Sequence, residues 1–124
     1  MNILLQIAAG GAIGATLRYL TVSRIAAAMP GGFPAGTILV NVVGSFLMGA
    51  IFAVAMTRAE GLRPLLPFFA TGLLGGFTTF SAFSLDTLLL IEEGKILAAM
   101  AYITSSVLLS LLALACGLWL VRGV

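Results

Sequence analysis

A cluster of hydroxyl side chains and phenylalanines stands out in an otherwise apolar stretch of the chain. Phe77, Phe80 and Phe83 recur every three residues, with threonine and serine between them. These hydroxyls, the Asn41 amide and the positive edges of phenyl rings are neutral groups that suit a small anion better than an organic cation. The chain has no histidine and a single cysteine, Cys116, so the commonest general base and a thiolate metal site are not available. The residues therefore indicate ion binding rather than catalysis, and we do not predict an enzyme.

Three glycines, Gly72, Gly75 and Gly76, come directly before this cluster. Glycine loses the most backbone freedom when it is ordered, so this spacing weakens a helix. A helix break at mid-membrane depth would free carbonyl oxygens, which are ligands for a hard cation such as Na⁺. The same glycines would also serve as a packing face, because the Gly72-xxx-Gly76 spacing lets a neighbouring helix approach closely. The spacing alone leaves both interpretations open.

Composition predicts the elements that hold these residues. The 124 residues are 61% hydrophobic and only 8% charged, whereas average proteins carry about 25% charged residues. Such a chain cannot cover the surface of a soluble domain, so we predict an all-α integral membrane protein. With about 20 residues for each span, there is room for four transmembrane helices. They are predicted at about 3–22, 35–56, 64–91 and 97–121, in a single four-helix transmembrane domain over residues 1–124.

The charges in the predicted loops are nearly balanced between the two sides of the membrane. One face would hold three basic residues, Arg58, Arg63 and Arg122. The other face would hold Arg24 and Lys95, with Arg18 added if its side chain reaches outward. This is almost no bias of the kind that fixes orientation, so the sequence permits an antiparallel dimer of copies that face opposite ways. The scattered basic residues form no nucleic-acid patch.

Several polar residues within the spans have two interpretations each. Asn41 either faces water or a permeating solute, or makes an interhelical hydrogen bond. Arg18 either anchors the first span at the interface or faces a water-filled vestibule. Ser106 and Ser110, four residues apart, either form a ladder of hydroxyls or bond back to their own helix. The sequence does not decide between these alternatives.

A small four-helix multidrug or cation exporter is an alternative function. Exporters of that kind depend on a glutamate in the first span, and this first span has no carboxylate. The acidic residues lie in loops or near a span end: Glu60, Asp86, Glu92 and Glu93. The missing carboxylate argues against an exporter. A non-conducting assembly subunit, in which the glycines serve packing only, is a further alternative.

Four ordered motifs extend over nearly the whole chain. They are Gly10-Gly11-x-x-Gly14-Ala15-x-x-Arg18-Tyr19; Asn41-x-x-Gly44-Ser45-Phe46-x-x-Gly49; Gly72-x-x-Gly75-Gly76-Phe77-Thr78-Thr79-Phe80-Ser81-x-Phe83-Ser84; and the hydroxyl-bearing last span. Together they resemble the Fluc (CrcB) fluoride channels of bacteria. The second and third motifs, at this spacing in a four-span chain, are highly specific for that family.

The resemblance implies a passive fluoride-selective channel that exports fluoride across the bacterial cytoplasmic (inner) membrane and gives fluoride resistance. It implies a multi-pass protein in lipid, an antiparallel dual-topology homodimer with two fluoride pathways, and a third helix broken near its middle. Arg18 would stand near the aqueous entrance. The implied fluoride pathway comprises Asn41, Phe80, Phe83, Ser106, Ser110, Arg18, Thr79 and Tyr102. Backbone carbonyls of Gly75 and Thr78 from both subunits would hold a structural Na⁺ at the dimer interface.

Overall fold

The protein is built from four long apolar helical spans joined by short loops, in a computed structural model that describes residues 1–123. Helix α1 is Ile3–Ala28 and helix α2 is Ala35–Thr57. The third span is Pro67–Glu92 and the fourth is Ile96–Arg122. All four are long and apolar enough to cross a membrane. The predicted all-α membrane fold with four spans is therefore confirmed.

The third span is not one continuous helix. It begins as a π-helix over Pro67–Leu74 and continues as the short helix α3, Gly75–Phe77. After two residues it resumes as α4, Phe80–Glu92. The fourth span, Ile96–Arg122, is the single helix α5. A short 3₁₀-helix, Glu60–Leu65, precedes the third span. The break near the middle of the third span is thus present as predicted.

The two residues at the break are threonines and not glycines. Thr78 (φ −87°, ψ 158°) and Thr79 (φ −154°, ψ 122°) are both extended, a conformation that suits β-branched side chains. Gly72 and Gly76 lie within helical segments and pack against α1. A Cβ at Gly76, for example, would lie 2.7 Å from the carbonyl oxygen of Gly11. Gly72 and Gly76 therefore form a packing face, and the predicted break lies just after the glycines, at the two threonines.

Close backbone contacts join the spans in two pairs. On α1, a Cβ at Gly10 would meet the carbonyl oxygen of Phe68, so α1 packs directly on the π-helix. A Cβ at Gly49 would meet the carbonyl oxygen of Leu114, so α2 packs equally closely on α5. Small residues permit such approach between membrane helices, where packing supplies much of the association energy. These contacts set the positions of α2, α5 and the third span around the site.

Helix α1 is longer than predicted, because it ends at Ala28 rather than near Val22. Its first turn is capped by the Asn2 side chain, which accepts a hydrogen bond of 2.8 Å from the backbone of Leu4. The helix stops at Met29, which precedes Pro30, and a residue before proline is disfavoured in the helical conformation. The helix therefore continues past the predicted end of the first span.

Many large apolar side chains remain exposed on the outside of the bundle, among them Leu97 at 83% and Phe80 at 78%. By contrast, Val40 and Tyr102 are fully buried. An apolar exterior of this kind suits contact with lipid or with another apolar chain rather than with water.

Candidate functional site

The site begins at the break in the third span, where the Asn41 side chain pairs with the backbone of Thr79. The Thr79 N–H donates to Asn41 Oδ1 at 2.7 Å, and Asn41 Nδ2 donates to the Thr79 carbonyl at 3.0 Å. An unpaired backbone group in hydrocarbon is costly, so these two bonds stabilise the extended residue. The interhelical hydrogen bond considered for Asn41 is therefore present. Asn41 also lines the cavity beside the break.

Helix α4 starts from this same point. Thr79 Oγ1 accepts a hydrogen bond of 3.1 Å from the Ala82 N–H, which caps the first turn. The free N–H groups at the start of a helix carry partial positive charge and favour an anion nearby. Phe80 and Phe83 lie in this first turn of α4, with ring centroids 5.4 Å apart. The break therefore places a helix N-terminus and two phenyl rings together.

A cavity of about 400 Å³ lies beside the break, between α2, α4 and α5. It contains six of the residues predicted for a fluoride pathway: Asn41, Thr79, Phe80, Phe83, Ser106 and Ser110. The remaining lining is mostly apolar, contributed by residues such as Met48, Val107 and Leu114. Few polar groups in an otherwise apolar cavity are typical of a site that fixes a small ligand.

Two of the three serines of α5, Ser106 and Ser110, line the cavity. Ser106 Oγ and Ser110 Oγ are buried and make no hydrogen bond within the part of the chain that the structure describes. Ser105, on a neighbouring face, does bond back to its own helix, with 3.3 Å to the Tyr102 carbonyl. The ladder interpretation of Ser106 and Ser110 therefore fits the structure better than bonding back. A buried hydroxyl without a partner costs about 1–3 kcal/mol, so both are suited to bind a ligand or water in the cavity.

Tyr102 lies behind the cavity rather than on its lining. Its ring packs against Phe83 with centroids 5.3 Å apart and planes tilted by 31°, and Phe33 meets it edge-on at 5.8 Å. The Tyr102 hydroxyl donates to Asp86 Oδ2 at 2.9 Å, and Thr37 Oγ1 donates to the same oxygen at 2.8 Å. Phe80, Phe83 and Tyr102 thus form an aromatic wall. It ends at the Asp86 carboxylate, which two hydroxyls hold in place.

Sequence reasoning did not include Thr37 and Asp86 among the site residues. We predicted Asp86 only as a residue near the span end, and it proves to be a shared acceptor between α2 and α5. The spacing offers a signal for it, since Phe80, Phe83 and Asp86 recur every three residues and so share one face of α4. Thr37 has no comparable signal, because its partner is 49 residues away in sequence.

Arg18 is not among the residues that line the cavity. Its Nε donates to the Gly76 carbonyl at 3.0 Å, so the half-buried side chain binds the backbone just before the break. A guanidinium at the end of a helical segment interacts favourably with the last carbonyls. The residue thus contacts the break directly, whereas the sequence suggested only an anchor or a vestibule.

The break frees the two carbonyls that we predicted as sodium ligands. In a continuous helix, the Gly75 carbonyl would accept from the Thr79 N–H and the Thr78 carbonyl from the Ala82 N–H. Those two donors instead bind Asn41 Oδ1 and Thr79 Oγ1. Carbonyl oxygens without a donor suit a hard cation. Within residues 1–123, no three His, Cys, Asp or Glu side chains come together as an alternative metal site.

These features define the class of protein. It is a four-span helical membrane protein whose third span is interrupted beside a cavity with neutral polar groups and phenyl rings. Irregular backbone at membrane depth is found where it lines a cavity or is buried in protein, which is typical of ion and solute pathways.

Comparison with known proteins places the chain within this class. The family described as "CrcB-like protein, Camphor Resistance (CrcB)" matches residues 5–118, and the chain belongs to that family. It is 51% identical over 127 residues to the fluoride-specific ion channel FluC of Roseobacter denitrificans, covering 100% of this chain and 98% of the relative. It is 51% identical over 120 residues to the channel of the same name from Cereibacter sphaeroides strain ATCC 17029, covering 97% and 94%. The corresponding channel of Paracoccus denitrificans is 49% identical over 119 residues, covering 96% and 94%.

Proposed function

We propose that the protein is a passive, fluoride-selective ion channel. The observation that carries this proposal is the cavity at the break, where the unpartnered hydroxyls of Ser106 and Ser110 lie with Phe80 and Phe83. Full-length relatives named as fluoride-specific channels support it, at about half identity. Hydroxyl donors and ring edges carry positive partial charge, which attracts a small anion without binding it as tightly as a fixed cation would.

The proposed mechanism needs only exchange of ligands. Fluoride gives up water for hydroxyl, amide and ring-edge contacts along the cavity, and successive weak sites let it leave as well as enter. In a membrane that is negative inside, the potential drives an anion outward by about 2.3 kcal/mol per 100 mV. Passive conduction in the bacterial cytoplasmic membrane would therefore export fluoride and give resistance to it.

The proposed pathway extends from the cavity to the Tyr102 cluster. Asp86 accepts hydrogen bonds from both Tyr102 and Thr37. These bonds hold the two hydroxyls in place, and the positive ends of the O–H dipoles partly offset the negative charge of the carboxylate. Phe83 lies between Phe80 and Tyr102, with ring centroids 5.4 and 5.3 Å away, so three aromatic rings follow one another from the cavity to Asp86. Arg18 would act from its position at the Gly76 carbonyl, where its positive charge makes the potential near the break more favourable to an anion.

A second copy of the chain would complete the site. Phe80, a proposed pathway residue, is 78% exposed in the single chain, so a partner is needed to shield it and close the cavity. We propose an antiparallel homodimer of dual topology in lipid, each copy a single four-helix domain over residues 1–124. The nearly equal loop charges on the two sides support insertion in both orientations.

A structural sodium ion belongs to this proposal. The carbonyls of Gly75 and Thr78 lose their helical donors at the break, and a hard cation would satisfy them. With the same carbonyls from a second copy, the set would contain four oxygens from main-chain atoms. The bound ion would hold the two broken spans together at the dimer interface.

Export of an organic cation is disfavoured by the same structure. Helix α1 has no acidic residue. In the third span, Asp86 already accepts two hydrogen bonds, and the other carboxylate, Glu92, is the last residue of the span. An exporter of cations or protons needs an acidic group that the substrate reaches. The cavity at the break offers none among its lining residues.

The proposal is tested by fluoride efflux from liposomes that contain the purified protein. A fluoride electrode follows release after a potassium ionophore sets the potential, with chloride-loaded vesicles as the control. Rapid release of fluoride with retention of chloride is the expected result. If a well-folded dimer releases no fluoride, the channel proposal is wrong.

A further inference from the structure

A second, smaller cavity of about 100 Å³ lies at the end of the bundle where α4 joins α5. Two carboxylates, Asp86 and Glu93, line it together with Gly32, Pro34, Leu89 and Leu90. Asp86 connects it to the main site, because its carboxylate binds Tyr102, whose ring packs against Phe83. The small cavity therefore lies next to the Tyr102 cluster, to which the proposed pathway extends. Two carboxylates at this point would repel an anion.

The local backbone fixes a positive charge beside these carboxylates. Helix α4 ends in a Schellman motif, in which the Lys95 N–H donates to the Leu90 carbonyl and the Gly94 N–H to the Ile91 carbonyl, both at 2.9 Å. Gly94 has a φ of +76°, a conformation that glycine adopts without strain. The chain reverses there, so that Lys95 returns to the side of Glu93.

The Lys95 ammonium lies next to two residues of the cavity lining. Its Nζ is 2.9 Å from Glu93 Oε2. It also faces Gly32 so closely that a Cβ built there would be 3.4 Å from Nζ. The side chains of Lys95 and Glu93 are 46% and 57% exposed, and an exposed pair of this kind contributes little to stability. Its effect is therefore on the local potential rather than on the fold.

We propose that the small cavity is a mouth of the fluoride pathway and that Lys95 sets the electrostatic potential there. Its ammonium offsets the carboxylates of Glu93 and Asp86, and so raises the rate at which fluoride enters and leaves. The inference rests on the proposed function, because it concerns the path of the permeating anion. Charges that line a narrow opening change the local concentration and association rate of an ion much more than they change stability.

The experiment compares initial fluoride efflux at low ionic strength for the wild type, Lys95→Gln, Glu93→Gln and the double variant. Loss of Lys95 leaves the carboxylates uncompensated, so the rate should fall about threefold to tenfold. The efflux rate of Glu93→Gln should equal or exceed that of the wild type. The double variant restores the charge balance, so its efflux rate should be within about twofold of the wild-type rate.

Two further comparisons separate local charge from other causes. Arg122→Gln removes the same net charge from the far end of α5, about 40 Å from Lys95 in the same copy and outside the lining of the small cavity, and should lower the rate less than Lys95→Gln does. Raising N-methylglucamine gluconate equally on both sides, with Na⁺ constant, should shrink the Lys95→Gln defect. The reason is that the Debye length falls from about 30 Å at 0.01 M to about 8 Å at 0.15 M.

Three outcomes would overturn the proposal. The efflux rate of Lys95→Gln could equal that of the wild type at low salt, or the double variant could be as slow as Lys95→Gln. The third is a loss of efflux rate in Arg122→Gln as large as the loss in Lys95→Gln. Each of them leaves the channel itself intact. Absence of efflux in the wild type would instead contradict the proposed function, so the two failures are distinguishable.

Discussion

The side chain of Asn41 and the backbone of Thr79 form hydrogen bonds in both directions across α2 and the third span, at 2.7 and 3.0 Å. The pair does two things at once. It satisfies the backbone N–H and carbonyl of Thr79 at the break. It also occupies the Thr79 N–H, which in a continuous helix would donate to the Gly75 carbonyl. One amide from α2 therefore fixes the wall of the cavity and frees a candidate cation ligand.

Substitution of Asn41 should affect both stability and flux. Asn41→Ala leaves two backbone groups unpaired, at a cost of about 1–3 kcal/mol each, which thermal unfolding in detergent would measure. Asn41→Asp keeps the acceptor but places a charged oxygen against the Thr79 carbonyl, and we expect fluoride efflux to fall at least about tenfold by like-charge repulsion. Asn2→Ala is the control, since this exposed cap supports only the start of α1. Unchanged flux in Asn41→Asp would contradict a pore role for Asn41.

Phe83→Ile should separate the pore from the scaffold. The substitution keeps an apolar side chain of similar bulk but removes the ring between Phe80 and Tyr102. We expect fluoride efflux to fall about tenfold or more while the dimer remains intact by size-exclusion chromatography. Phe52→Ile is the matched control. Phe52 lies on the outer surface of α2 and is 44% exposed, so this variant should conduct normally. Normal flux in Phe83→Ile would argue that the ring edges do not contact the ion.

Removal of one hydroxyl tests the cluster behind the cavity. Tyr102→Phe keeps the ring but leaves the Asp86 carboxylate with one hydrogen bond instead of two. We expect a loss of about 1–3 kcal/mol, because the bond is to a charged group, and slower efflux. Tyr19→Phe removes the same hydroxyl from a 70% exposed residue and should change neither property. Equal stability of the two variants would show that the bond to Asp86 is dispensable.

Two neighbouring glycines of α1 should respond oppositely to alanine. A Cβ at Gly14 would meet the backbone of Leu73, which cannot move aside as a flexible side chain would, so Gly14→Ala should cost about 1–3 kcal/mol or more. At Gly11 the nearest atom is 3.9 Å from the added Cβ, an ordinary contact. Gly11→Ala should therefore be neutral or stabilising by up to about 1 kcal/mol. Thermal unfolding of the two variants side by side would decide the point.

Removal of sodium should lower the stability of the assembled protein. A ligand that binds only the folded state stabilises it by an amount that grows with the logarithm of its concentration. We therefore expect the melting temperature to rise with Na⁺ and not with equal N-methylglucamine. Thr78→Val is a useful comparison: it removes the Oγ1 bond of 2.8 Å to Leu74 but keeps the backbone carbonyl, so the sodium dependence should persist. A melting temperature that is independent of Na⁺ would contradict the proposed ion.

Some of the site follows from one-dimensional patterns. Phe80 and Phe83 recur at a spacing that puts them on one helical face, and Ser106 and Ser110 are four residues apart, so their proximity within each helix is a local property. The glycine stretch predicted disturbance of the third span, and this was correct. The position of the break was not fixed by that stretch, because the residues that leave the helix are Thr78 and Thr79.

The sequence by itself determined the fold class, the four spans and the family, because hydropathy and motif spacing are properties of residue order. Only the tertiary structure decided which polar groups are satisfied and which are free. Three hydrogen bonds join residues that are far apart in sequence. The partners are 38 residues apart for Asn41 and Thr79, 49 for Thr37 and Asp86, and 58 for Arg18 and Gly76. Such pairings depend on how closely the helices pack and on their rotation, which no local pattern encodes. Among the described residues, the same packing leaves the hydroxyls of Ser106 and Ser110 without hydrogen-bond partners, and they line the cavity in which we propose that the ion binds.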